Sequence, residues 1–175
     1  MAEKVVTALK QRRIHLAWQP VVDAKTEKIA FHEALIRLES EDGDELVASD
    51  FVEVAQRLGL IRLVDHHALE LALETLHAAP DAKFSLNVSF ETACDPEWLA
   101  KLAHTLMTRP EFAERLIIEI TESYAADSLA EAQKFINSVR DLGCQVALDD
   151  FGAGFTSFRN LKGLPFDIIK VDGQF

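Results

Sequence analysis

The class of fold is decided by residues 116–150, LIIEITESYAADSLAEAQKFINSVRDLGCQVALDD. This stretch begins with an apolar run from Leu116 to Ile120, which is typical of a strand buried on both faces. The pattern Ser128-x-x-Glu131 then predicts a capped helix that ends at Gly143. A second β-prone run, from Val146 to Leu148, follows directly. A strand, a helix and a strand in this order predict a parallel βαβ unit.

The same alternation extends outward along the chain. Further amphipathic runs predict helices from Phe51 to Leu58, after a capping-box pattern at Asp50-x-x-Glu53, from Ile61 to about Leu76, and from Asp95-Pro96 to about Met107. Gly59 is expected to separate the first two of these helices. The other β-prone runs are Trp18 to Val22, Ile29 to Leu38, Phe84 to Val88, and Ile168 to Val171. From Ile29 onward strands and helices alternate, which favours a doubly wound sheet or a (β/α) barrel.

Composition and charge narrow the classes of function. The 175 residues include 18 basic and 29 acidic side chains, for a net charge of −11, and 49% of the residues are hydrophobic. This composition is that of a globular domain with a sizeable core. The negative charge repels phosphate backbones and anionic bilayers, so we expect no nucleic acid polymer and no direct membrane contact as partners. Any phosphorylated ligand would need cations to mediate its binding.

The cysteines and the hydropathy pattern indicate a cellular compartment. Cys94 and Cys144 are far apart and form no C-x-x-C pair, which excludes a disulfide scaffold and a thiolate zinc cluster. No run approaches the roughly 18 apolar residues of a membrane span. We therefore expect a cytoplasmic protein, with any membrane tether outside this chain.

Polar side chains mark the C-terminal ends of the predicted strands. They are Glu33 and Arg37, Asn87, Glu119 and Glu122, Asp149 and Asp150, and Lys170 and Asp172. A single acidic residue at a strand end is most often solvated, but five such ends together favour an active site, because barrel enzymes build their sites at this edge. The period of two puts Glu33 and Arg37 on one face of their strand, whereas the adjacent Asp149 and Asp150 must point in different directions.

The acidic residues at these ends point to divalent metal ions. Glu33, Glu119 and Asp149 would repel one another in a shared cavity unless a cation compensated them or their pKa values rose. Oxygen ligands without cysteine favour Mg²⁺ or Mn²⁺ over zinc. Lys170 would then orient or polarise a water bound to the metal.

Six motifs, in order along nearly the whole chain, resemble those of the EAL domain, the cyclic di-GMP phosphodiesterase family of bacterial second-messenger signalling. They are Gln19-Pro20 within WQPVVD, Glu33-Ala34-Leu35-Ile36-Arg37, Asn87 within LNVS, Glu119 to Ser123, Asp149 to Gly154, and Lys170-Val171-Asp172. The resemblance implies an α/β fold, a TIM-like (β/α) barrel of the EAL type, that hydrolyses cyclic di-GMP to linear pGpG.

The resemblance also implies roles for these residues. Glu33, Asn87, Glu119 and Asp149 would bind one Mg²⁺ or Mn²⁺ ion, Asp149 and Asp150 would reach a second, and Ca²⁺ would inhibit. Lys170 would contact the attacking water, while Gln19, Leu35, Arg37 and Asp172 would contact the dinucleotide. Glu122 would hold the loop after Asp150, and this loop would form a homodimer interface.

One departure from the family leaves alternatives open. The chain ends at Phe175, where the family continues with about two more strands that carry a further glutamate and a glutamine of the site. Residues 1–175 are thus expected to be a C-terminally truncated EAL domain, with sensory or cyclase domains possible in the full-length protein, and the activity of this piece is open. The missing residues leave open a catalytically inactive EAL-type receptor or protein-interaction module. A separate alternative is a barrel glycosidase that uses two carboxylates without metal.

Overall fold

The structure is a computed structural model that describes residues 1–152 and 163–173, apart from the side chains of residues 126 and 127. The chain divides into two compact units, Met1–Leu86 and Asn87–Phe175. Within the described ranges, no helix is both long and apolar enough to cross a bilayer.

The first unit carries the strand on which both Glu33 and Arg37 lie. Its elements are α1 (Ala2–Lys10), β1 (Ile14–Val22), β2 (Ile29–Glu39), β3 (Glu45–Val47), α2 (Ala48–Arg57), α3 (Ile61–Ala78), and β4 (Phe84–Asn87), whose last residue begins the second unit. β1 and β3 pair antiparallel with β2, and β4 pairs parallel with it. β2 is therefore the central strand of this unit, with a neighbour along each edge.

The core of the first unit lies between its helices and the sheet. Val5 of α1, Leu38 of β2, Phe51 of α2 and Val64 of α3 belong to one cluster of buried apolar side chains. The apolar spacing of Val5, Ala8 and Leu9, at i, i+3 and i+4, is typical of a helix with one buried face. Burial of this face fixes α1 against the unit.

The second unit consists of short helices around three neighbouring parallel strands. Its elements are α4 (Phe90–Ala93), α5 (Pro96–Thr108), a 3₁₀ helix (Pro110–Arg115), β5 (Leu116–Thr121), α6 (Glu122–Asp127), α7 (Leu129–Asp141), β6 (Gln145–Phe151), and β7 (Ile168–Val171). β6 pairs parallel with both β5 and β7. The five residues from Leu116 to Ile120 are all buried, as expected of a central strand.

The mixed α/β fold with a parallel sheet confirms the prediction from the alternation of strands and helices. The six predicted strands are present. Asp95 is the N-cap of α5, as predicted, and its Oδ1 accepts a hydrogen bond from the backbone N–H of Glu97 at 3.0 Å. The sequence pattern does not predict α1, β3, α4, α6 or the 3₁₀ helix. β3 was missed because its three residues follow a polar stretch that favours a loop.

Two predicted capping boxes are wrong. α2 begins at Ala48, so Asp50 lies within its first turn, where Oδ2 accepts from the backbone N–H of Val47 at 3.1 Å. Ser128 precedes α7, but its side chain makes no capping hydrogen bond. A Ser/Asp-x-x-Glu pattern identifies the neighbourhood of a helix start, and the backbone geometry decides which oxygen satisfies the first N–H groups.

Two glycines end helices in the same way. Gly59 follows α2 with φ +67° and Gly143 follows α7 with φ +90°. Beyond each glycine the next backbone N–H bonds back to the helix, from Leu60 to Ala55 at 2.8 Å and from Cys144 to Val139 at 3.3 Å. The positive φ of each glycine is what allows this Schellman-type ending.

We expect Gly143→Ala to destabilise the protein more than Gly59→Ala. Both substitutions place a side chain at positive φ, which costs about 1 kcal/mol. A Cβ at residue 143 would in addition lie 3.2 Å from the Cβ of Ala113, whereas at residue 59 it meets nothing within 4 Å. Urea denaturation of the two variants should show an extra loss of about 1 kcal/mol at residue 143. Equal losses would contradict this account of the helix ends.

Candidate active site

A lysine lies between two carboxylates in the second unit. Nζ of Lys170 on β7 donates to Oε2 of Glu119 on β5 at 2.7 Å and lies 3.2 Å from Oδ1 of Asp149 on β6. The Glu119 side chain has no exposed surface, and those of Lys170 and Asp149 are 23% and 19% exposed. The ammonium group therefore offsets the cost of burying Glu119.

The strand register explains why these side chains meet. Asp149 lies opposite Thr121 in the parallel β5–β6 pair, so Glu119, two residues earlier on β5, projects from the same face of the sheet as Asp149. Carboxylate oxygens of Glu119 and Asp149 lie within 4.8 Å of each other. This acidic pair would be unfavourable without a cation, and Lys170 supplies one positive charge.

An irregularity in β6 separates the directions of its two aspartates. Leu148 pairs with Ile169, but the next pair joins Phe151 to Val171, so β6 has one residue more than β7 over this interval. Asp150 has φ +57°, a left-handed conformation that aspartate tolerates better than most residues. This bulge leaves Asp149 half-buried and Asp150 exposed.

Glu122 supports the chain just after this bulge. It is the first residue of α6, it is 2% exposed, and its Oε2 accepts a hydrogen bond from the backbone N–H of Gly152 at 2.7 Å. The N–H of Asp172 bonds to the carbonyl of Phe151 at 3.0 Å on the other side. Residues 153–162, which contain most of the loop predicted to form a dimer contact, lie outside the described part of the chain.

Asn87 lies beside the Glu119 strand. The backbone N–H of the next residue, Val88, donates to the carbonyl of Glu119 at 3.0 Å. Asn87, Glu119, Asp149, Asp150, Glu122, Lys170 and Asp172 therefore all belong to the second unit. Of the predicted site residues, Gln19, Glu33, Leu35 and Arg37 belong to the first.

In the first unit these residues project from one face of the β1–β2 ladder. Gln19 lies opposite Glu33, and Leu35 and Arg37 follow Glu33 at alternate positions on β2. Arg37 is largely buried, its Nη1 donates to the carbonyl of Ile36 at 3.0 Å, and its Nε lies 3.5 Å from Oε1 of Glu45 on β3. Sequence reasoning missed Glu45, because that residue falls in an acidic stretch typical of a surface loop.

The donor atoms of the second unit fit a hard divalent ion. Carboxylate and amide oxygens are the ligands that Mg²⁺ and Mn²⁺ prefer, and Glu119 and Asp149 present such oxygens close together in a largely buried position. Asn87 lies next to this pair in the fold, because the backbone N–H of the following residue, Val88, donates to the carbonyl of Glu119. The chemistry of this donor set fits a divalent metal ion.

Comparison with known proteins identifies the family. Residues 2–175 match the family model described as EAL domain, so this chain belongs to the EAL domain family. The resemblance seen in the motifs is confirmed, and with it the kind of fold.

Among curated proteins, the cyclic di-GMP phosphodiesterase PdeF of Escherichia coli (strain K12) is 32% identical over 180 residues, which cover 100% of this chain and 24% of that protein. The signaling protein YkoW of Bacillus subtilis (strain 168) is 29% identical over 172 residues, which cover 96% of this chain and 22% of that protein. The chain thus spans about a quarter of the length of these relatives.

Two solved structures share the fold. The FimX EAL domain from Pseudomonas aeruginosa bound to c-di-GMP has a TM-score of 0.84 at 26% identity, covering 98% of this chain and 71% of that one. An EAL domain protein from Listeria monocytogenes EGD-e has a TM-score of 0.83 at 30% identity, covering 99% of this chain and 69% of that one.

Removing the Lys170 ammonium should destabilise the metal-free protein. Lys170→Met leaves the buried Glu119 without this counter-charge, so we expect the free energy of unfolding in EDTA to fall by about 2–4 kcal/mol. The exposed Lys28 provides the control, because Lys28→Met also removes one positive charge. Urea denaturation measures both. Equal effects of the two substitutions would show that Lys170 does not stabilise the acidic pair.

Proposed function

We propose that this chain is a metal-dependent phosphodiesterase domain that hydrolyses cyclic di-GMP to linear pGpG. The observation that carries the proposal is the buried Glu119 carboxylate, paired with Asp149 and bridged by Lys170, within a chain of the EAL domain family. The name of the relative PdeF and the ligand of the FimX EAL domain support the choice of substrate.

Two divalent ions, Mg²⁺ or Mn²⁺, belong to this proposal. Glu33, Asn87, Glu119 and Asp149 would hold one ion, Asp149 and Asp150 would hold the second, and Ca²⁺ would inhibit. When bound, such ions stabilise the charge that develops on the phosphate and on the leaving 3′ oxygen. The bulge at Asp149 and Asp150 supports this division, because it lets neighbouring carboxylates serve different ions.

The side chains of the chain itself would position the reactants. Lys170, a donor at Nζ, would orient the attacking water, while Arg37 would contact a substrate phosphate. Gln19, Leu35 and Asp172 would contact the rest of the dinucleotide. Glu122 would act through its hydrogen bond to Gly152 and keep the chain after Asp150 in place.

Three further predictions concern the whole protein. We propose a homodimer that forms through the loop after Asp150, most of which lies in residues 153–162, outside the described ranges. We propose sensory or cyclase domains in the full-length protein, which the greater length of the relatives supports. We also propose a cytoplasmic location, supported by the free thiols of Cys94 and Cys144, because disulfides are rare in a reducing cytosol.

Loss of the Glu33 carboxylate should abolish turnover. We expect Glu33→Ala to lower the rate of pGpG formation by more than about 100-fold, because an ion ligand would be missing. Glu53→Ala is the control, since Glu53 is an exposed glutamate whose partner is Arg57. Chromatography of pGpG in Mg²⁺, Mn²⁺ and EDTA measures the rates, and EDTA should stop the reaction.

These rates, together with calorimetry, separate the proposed phosphodiesterase from an enzyme that works without metal and from an inactive receptor. Turnover by Glu33→Ala at the wild-type rate, or turnover that EDTA does not affect, would contradict the proposal and favour chemistry without metal. Wild-type protein that binds cyclic di-GMP in calorimetry with Ca²⁺ but forms no pGpG in Mg²⁺ or Mn²⁺ would identify an inactive receptor instead.

A further inference from the structure

We infer that Glu45 is a positioning residue for Arg37 and that His15 holds Glu45 in place. The inference rests on the proposed function, in which Arg37 contacts a phosphate of cyclic di-GMP. It concerns three side chains, His15, Arg37 and Glu45, which we call the arginine clamp.

The arginine clamp joins three neighbouring strands. Oε1 of Glu45 lies 3.5 Å from Nε of Arg37, and Oε2 of the same carboxylate lies 3.0 Å from Nε2 of His15. His15 on β1 lies directly opposite Arg37 on β2, and Glu45 lies on β3 along the other edge of β2. One carboxylate therefore connects the two strands that flank the arginine.

The acidic residues next to Glu45 have other partners. Asp42 and Asp44 pair with Lys4 at 3.2 and 3.4 Å, and Glu41 lies 3.9 Å from Arg13. Within the described part of this acidic stretch, Glu45 is the residue whose carboxylate faces Arg37. Its position in β3 explains the difference, because residues 45 and 47 of that strand lie opposite residues 39 and 37 of β2.

The contacts of Arg37 determine which donors remain for a phosphate. Nε forms an ion pair with Glu45 at 3.5 Å, and Nη1 donates one hydrogen to the carbonyl of Ile36. A guanidinium carries five N–H groups in a planar fork, so the end formed by Nη1 and Nη2 still has donors for two phosphate oxygens. Fixing Nε thus sets the plane of the fork before substrate binds.

Glu45 has two opposite effects on the binding of phosphate by Arg37: it orients the guanidinium group, and it neutralises part of its charge. We expect the orientation to matter more. The Glu45 side chain is 54% exposed, whereas that of Arg37 is 16% exposed. Water around the exposed carboxylate screens its attraction for the arginine charge, so removing it increases the potential at Arg37 only weakly. Recognition by a guanidinium fork depends strongly on its geometry. Loss of the carboxylate should therefore weaken substrate binding.

The test is steady-state hydrolysis of cyclic di-GMP by Glu45→Gln, which keeps the shape of the side chain. We expect KM to rise about fivefold, which corresponds to the loss of an ion-pair contact of about 1 kcal/mol, with kcat within about twofold of wild type. Asp42→Asn is the control: it removes the same charge from the same acidic stretch, away from Arg37, and should leave both constants unchanged. Thermal melting checks that each variant is folded.

A double-mutant cycle with His15→Ala tests the other half of the clamp. His15→Ala should raise KM in the wild-type background and should have no further effect in the Glu45→Gln background, because His15 acts only through Glu45. Wild-type turnover with an unchanged KM in Glu45→Gln, an equal rise in Asp42→Asn, or additive effects of the two substitutions would overturn the inference alone. Absence of turnover and of cyclic di-GMP binding in wild type would overturn the proposed function, and the inference with it.

Discussion

The proposed chemistry depends on one interaction. The ammonium group of Lys170 lies between the carboxylates of Glu119 and Asp149 and pairs with both. A glutamate with no exposed side-chain surface is tolerated in a protein only where a positive charge or several hydrogen bonds compensate it. The apolar strand β5 forces this burial, since Leu116 to Ile120 pack on both sides. The same burial lowers the local dielectric, which strengthens any attraction between the acidic pair and a divalent cation.

Much of the fold follows from periodicity. The runs from Leu116 to Ile120 and from Ile168 to Val171 form strands because their apolar and β-branched side chains suit buried sheet positions. Helix starts were harder to predict. Asp50 was expected to precede its helix, but it lies within the first turn of α2, where its carboxylate accepts from the backbone N–H of Val47. The short strand β3 was not predicted, because three residues are too few to show the alternation of apolar and polar side chains that marks a strand. Its pairing with β2 is a tertiary contact, which the local sequence does not show.

Only part of the candidate site could be predicted from the sequence. Motif order suggested the acidic residues and Lys170, because their types suit metal-assisted chemistry at strand ends. Residue spacing alone did not indicate the extra residue of β6 at Asp149 and Asp150, which depends on pairing with β7. Nor did it reveal Glu45, whose contact with Arg37 exists only once β3 has paired with β2. Supporting residues of this kind come from sheet register, which a local pattern does not encode.

The central claim is that Glu119 and Asp149 hold a divalent ion. Anomalous diffraction from crystals of the protein grown with Mn²⁺ tests it most directly, because the manganese signal locates the ion independently of any model of the site. We expect an anomalous peak within about 2.0–2.6 Å of carboxylate oxygens of Glu119 and Asp149, the range of metal–oxygen distances for such ions. Well-ordered carboxylates at saturating Mn²⁺ with no peak between them, and Lys170 still bridging the two, would contradict it.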